Sequence, residues 1–122
     1  MTDDIFAERV AKVRQRFTSS LEAKIDGTYA ALRSLGGTEP PAAAAVAEAY
    51  RCIHGIVGIG RTVGFPAVGT AAHDVEDVLR SPYHAGRGLT DDEISLLKTS
   101  LQALRQVATR ELQSNSPSKL IQ

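Results

Sequence analysis

Apolar residues recur at intervals of three and four through most of the chain, and the alternating runs that make half-buried strands are absent. The fold class this predicts is all-α. The first periodic segment opens at Asp3 or Asp4. It carries Phe6, Val10, Val13, Phe17, Leu21, Ile25, Tyr29, Leu32 and Leu35 on one face of a helix of about 30 residues, which Gly36-Gly37 ends. Thr38-Glu39-Pro40-Pro41 then reads as a helix start, with a capping hydroxyl followed by prolines whose missing N–H groups cost nothing in a first turn. The second helix runs from about Pro41 to Val63. Val46, Ala49, Cys52, Ile56, Ile59 and Val63 form the stripe assigned to its core face. Val46, Tyr50, Ile53 and Val57 form a second apolar stripe beside it, leaving more apolar circumference than a bundle core needs.

After Gly64-Phe65-Pro66 a third helix places Phe65, Val68, Ala72, Val75 and Leu79 inward and His73, Glu76, Asp77 and Arg80 on its opposite face. Ser81 to Gly88 is rich in turn formers and predicts an exposed loop. Thr90-Asp91-Asp92-Glu93 has the spacing of a capping box, and the last helix, to about Leu112, buries Ile94, Leu97, Leu101, Leu104 and Ala108. Four amphipathic helices with mostly short connections predict an antiparallel up-and-down four-helix bundle over residues 1–113, with a flexible tail over 114–122.

Composition narrows the function classes. A chain of 122 residues, 43% hydrophobic, suits one domain with one core. Fourteen basic and fourteen acidic residues leave no net charge and no basic stripe, so nucleic acid is not an expected partner. No uninterrupted apolar run approaches the roughly 20 residues that span a bilayer, and Met1-Thr2-Asp3-Asp4 is unlike a signal peptide. A cytoplasmic monomer with no membrane association is therefore expected. The single cysteine, Cys52, reads as a small buried side chain, and no histidine pair has helical metal-ligand spacing.

One segment carries candidate chemistry. Glycines stand at 55, 58, 60 and 64 in and just beyond the second helix. Each interior glycine costs on the order of 1 kcal/mol relative to alanine, so something must come close to that backbone. With Cys52, Ile56, Ile59 and Val63 inward, His54 lies about 200° round from Cys52 and faces outward. Arg51, Gly58 and Arg61 share its face: the glycine leaves a gap beside the imidazole, and the arginines offer positive charge to an anion.

His54, Gly58, the small Gly60 and Gly64 resemble the signature of the histidine-containing phosphotransfer family: a histidine, Lys at plus three, Gly at plus four, small residues, and Gly at plus ten. Val75-Glu76-Asp77-Val78-Leu79 is similar to the glutamate in a leucine-rich setting on that family's next helix, and the resemblance in helix order covers roughly Leu21 to Leu112. It implies that His54 is the phosphoacceptor of a carrier without kinase activity of its own. The partners it implies are response-regulator receiver domains, with a hybrid histidine kinase as a further candidate. No cofactor or metal is implied on this chain, since Mg²⁺ is expected on the receiver. Val57 departs from the signature by standing where the family has its lysine; Arg51 and Arg61 are the candidates to support the phosphoryl group instead. Docking is expected on Tyr50, Ile53 and Val57, with Gly55 and Gly58 allowing close approach. Two other readings stay open: a phosphorylation-silent module of the same fold that binds a receiver or kinase, and a helical adaptor using the Tyr50, Ile53 and Val57 patch.

Overall fold

The computed structural model describes residues 2–114, which form an all-helical bundle. Its helical segments are α1 (Thr2–Ala30), α2 (Leu32–Leu35), α3 (Pro40–Thr62), α4 (Pro66–Ala85) and α5 (Asp91–Ser114). The single first helix expected from the pattern is divided at Ala31, where ψ opens to −7°. There the Ser34 amide bonds the Ala31 carbonyl at 2.8 Å, a tightened three-residue spacing beside the ordinary bond from Leu35. The tail expected over 114–122 lies outside the described residues except for Ser114, which closes α5.

The core is built from Leu21 and Ile25 of α1, Ile53 and Ile56 of α3, Val68, Val75 and Leu79 of α4, and Leu97, Leu101 and Leu104 of α5. On α1, burial begins only at Phe17; Phe6 and Val13, which the pattern assigns to the core stripe, are 70% and 44% exposed. At 1.5 Å per residue, α1 with 29 residues is about 43 Å long and α4 with 20 about 30 Å, so the first turns of α1 have less helix to lie against. Phe17 stacks on Phe65 at 5.7 Å, and the Arg14 guanidinium sits 5.0 Å over the same ring, fixing α1 to the α3–α4 turn.

The α3 core face is corrected. Its buried residues are Ala42, Val46, Ala49, Ile53, Ile56, Val57 and Gly60, a line rotated by roughly 55° from the expected one at 100° per residue. Ile59 is exposed and Cys52 half-buried, whereas Ile53 and Val57, expected on a docking surface, are in the core. The cause is the backbone of α4. A Cβ at Gly60 would lie 3.3 Å from the Gly69 amide nitrogen, so the position facing α4 is the glycine, and the isoleucine beside it turns to solvent. By length and composition α3 reaches what a bilayer span requires, more than the sequence reading allowed; in this bundle it is the helix packed against α4.

The chain reverses between α3 and α4 through Gly64, whose φ of +95° is open to glycine, and the Phe65 amide returns to the Gly60 carbonyl at 2.8 Å. Pro66 opens α4, and the next two amides, of Ala67 and Val68, donate to the Glu111 carboxylate on α5 at 3.1 and 2.9 Å. A carboxylate from another helix thus caps α4, meeting both orphan donors and the positive end of the dipole. The loop expected over Ser81–Gly88 is shorter than predicted. Helix α4 runs on through Pro82, whose ring is buried, to Ala85, and left-handed Gly86 then ends it. The expected hydroxyl cap of α3 is also absent: the cap position is Glu39 and has no side-chain bond.

Thr90 and Glu93 do form the capping box, with the Thr90 amide donating to Glu93 at 2.9 Å and the Glu93 amide to the Thr90 hydroxyl at 3.2 Å. Arg87 adds a two-pronged ion pair that, with burial opposing and the Thr90 amide assisting, holds the Glu93 carboxyl down at about 2 against an ordinary 4.5. Because the folded value is depressed, this contribution is complete above about pH 4.5 and is lost as pH falls towards 2. Glu93→Gln should therefore flatten the acid limb of thermal stability between those pH values, measured by circular dichroism melts. Gly88 closes the same end of the bundle against the Leu35 carbonyl, which a Cβ would approach to 2.8 Å. Gly88→Ala should cost about 1–3 kcal/mol in urea titration.

Candidate functional site

The site begins with the α3–α4 crossing. Gly60 and Gly69 bring the two backbones together, and a Cβ on Gly69 would strike the Arg61 Cγ at 2.7 Å. The rotation of α3 that follows moves His54 from the far side of the helix to the flank beside α4. Its side chain stays 67% exposed, so the imidazole is presented to solvent as the sequence predicted.

Directly across lies Glu76, whose Oε2 is 2.6 Å from His54 Nδ1. Glu76 is only 5% exposed, against the sequence reading that put it on the outer face of its helix. A carboxylate has no hydrogen to give, so Nδ1 carries the proton and donates it, leaving the Nε2 lone pair turned outward. The other oxygen, Oε1, accepts from Arg80 Nη2 at 3.0 Å. Arg80 also donates through Nη1 to Asp77. Its guanidinium is held above its ordinary value by the bonds to Asp77 first and then Glu76, with burial opposing and the Tyr50 hydroxyl adding.

An aromatic stack flanks the imidazole. Tyr50 lies nearly parallel to His54 at 6.0 Å and to Tyr83 at 4.3 Å, with His84 tilted against both tyrosines. Tyr50 is half-buried. On the other side of His54 the surface is bare: nothing lies within 4 Å of a Cβ built on Gly55 or Gly58. Of the glycines singled out in the sequence, Gly60 meets another backbone, Gly64 makes the turn, and Gly55 and Gly58 clear space.

Arg51 and Arg61 are exposed on α3, and the stem of Arg61 lies over Gly69. The cation that the structure brings into the hydrogen-bonded cluster at His54 is Arg80. The sequence marks Glu76 through its resemblance to the family's glutamate but puts it on the outer face, and it does not single out Arg80 for the site; yet Glu76 stands four residues after Ala72 and three before Leu79, both fully buried, and an acid within an apolar stripe needs a partner. His73 and Asp77 form the exposed one-turn pair expected, at 3.5 Å; with Asp74 they hold ligand-type atoms within 4.8 Å of one another on the α4 surface. Cys52 sits beside Lys24 and Glu48 on a shallow α1–α3 cleft, its thiol pushed above the ordinary 9.0 by burial, with Lys24 opposing and Glu48 adding.

An all-helical bundle presenting one histidine against a neighbouring helix agrees with the comparison to known families. A family model described as Hpt domain matches residues 12–107, and the chain belongs to that family. Membership implies histidine phosphotransfer in two-component signalling. No match was found among curated proteins or among solved structures.

The backbone contact at Gly60 is testable. Gly60→Val should cost about 1–3 kcal/mol in urea unfolding, because the opposing atoms are backbone and cannot turn aside.

Proposed function

We propose that the protein is a phosphorelay intermediate that accepts a phosphoryl group on His54 from one receiver-domain aspartate and returns it to another. The observation that carries this reading is an exposed imidazole whose Nδ1 is tied to Glu76 and whose Nε2 is free. Four long helices, α1, α3, α4 and α5, with three residues between α3 and α4, support an antiparallel up-and-down bundle as its scaffold.

In the transfer, the Nε2 lone pair forms the N–P bond in line as the P–O bond to the receiver aspartate breaks. The bonding electrons leave with the aspartate as carboxylate. The ring keeps its Nδ1 proton and gains positive charge, which Glu76 stabilises through the hydrogen bond already in place. Return of the group reverses these steps. Mg²⁺ and most neutralisation of phosphoryl charge belong to the receiver. With Ile53 and Val57 in the core, the docking surface reduces to Tyr50, Arg51, Gly55 and Gly58 around His54, on a chain acting as a cytoplasmic monomer. Arg51 and Arg61 flank this surface as supports for the incoming phosphoryl oxygens.

Val57 in place of a lysine favours a second reading, a silent module that binds a receiver without accepting its phosphate. Incubation with a phosphorylated receiver separates the two. The carrier takes acid-labile, base-stable label, His54→Gln takes none, and Glu76→Gln slows uptake by on the order of tenfold or more. Gly58→Leu should block docking with little change in melting temperature, since its side chain enters open space. Receiver binding without label in the wild type would establish the silent module, and equal uptake by Gly58→Leu would refute the docking surface.

A further inference from the structure

Arg80 is the cation that the structure places against the candidate site, and the sequence signature does not call for it. Glu76 is buried, with only 6% of its side chain exposed, and a buried carboxylate is stable only when both oxygens have donors. His54 meets one oxygen and Arg80 the other. Arg80 stands four residues after Glu76 on α4, the favourable order for an acid and a base on one helix. Its planar fork reaches Asp77 as well, so the guanidinium is held by two carboxylates of α4. Tyr50 is in turn stacked on Tyr83 and against His54. The imidazole is therefore oriented by a carboxylate that is itself held by an arginine anchored to a second carboxylate.

We infer that Arg80 is a positioning residue: by pinning the Glu76 carboxylate, it keeps His54 in the tautomer with the proton on Nδ1 and the lone pair on the outward Nε2. Which ring nitrogen carries the proton is set by the bond the other groups make to it. Without Arg80, the freed Glu76 oxygen must seek water, the carboxylate turns, and the imidazole is released to place its proton on Nε2. That form has no lone pair where a docked phosphoryl group arrives. The consequence for transfer rests on the reading of His54 as phosphoacceptor; the tautomer itself does not.

The test uses the full chain labelled with ¹⁵N and long-range ¹H–¹⁵N correlation at about pH 8.5, where an ordinary imidazole is neutral. Wild type should show a protonated Nδ1 and an unprotonated Nε2 at His54. Glu76→Gln serves as the reference for a lost carboxylate. Arg80→Gln should shift the pattern towards protonated Nε2 and slow label uptake by on the order of tenfold, the lower end of the scale for lost supporting contacts. Arg80→Lys, which keeps the charge but not the fork, should fall between, and it provides the informative variant if Arg80→Gln melts. Asp74→Asn on the same surface should change neither readout. If Arg80→Gln keeps the wild-type tautomer, the inference is overturned, whether uptake is unchanged or slowed by direct contact with the phosphoryl group. If the tautomer shifts but His54→Gln still takes label, the phosphoacceptor reading fails and the positioning role survives.

Discussion

The contact on which the site depends is the approach of α3 to α4 at Gly60 and Gly69. Two helices meeting through larger side chains pack with axes 8–10 Å apart. Here the Gly69 amide nitrogen lies 3.3 Å from where a Cβ on Gly60 would stand, so even the first carbon of a side chain would press on backbone. That approach fixes which face of α3 is internal, and hence where His54 stands relative to α4. A glutamate reaching from one helix to a histidine on the next needs such spacing to close a bond of 2.6 Å. The glycines and the hydrogen bond are two ends of one constraint, and the first sets the geometry of the second.

Much of this was legible in the residues. The period of three and four gave all-helical structure, the inward faces of α4 and α5 were read correctly at Val68, Val75, Leu97 and Leu101, and the Thr90–Glu93 box formed as spaced. The errors cluster on α3. That helix is apolar around most of its circumference, so periodicity gives no contrast from which to choose between the stripe through Cys52 and Ile59 and the one through Ile53 and Val57. Gly60 is the better guide, because, of the α3 glycines, it is the one that meets a neighbouring backbone. Glu76 was misplaced for the complementary reason. Its charge argued for the surface, while its position argued for the interior, and only the pairing with His54 and Arg80 reconciles them.

The positive charge at the site is arranged differently from the signature to which the chain is related. The signature's lysine is a flexible point charge one turn beyond the histidine on the same helix. In its place Val57 is buried, and charge is supplied across the helix pair by a guanidinium anchored to two carboxylates. Such a group is costly to reorient and cheap to keep ordered, which favours geometry over reach.

The aromatic stack gives the molecule a built-in optical reporter. There is no tryptophan, and of the three tyrosines Tyr50 and Tyr83 lie face to face beside His54. Tyrosine emission is quenched by neighbouring rings and charged groups, so a change in charge on the imidazole or a partner covering it alters the fluorescence of two-thirds of the chromophores at once. Events at this one histidine can therefore be followed in real time, in stopped flow, without attaching a dye to the surface under study.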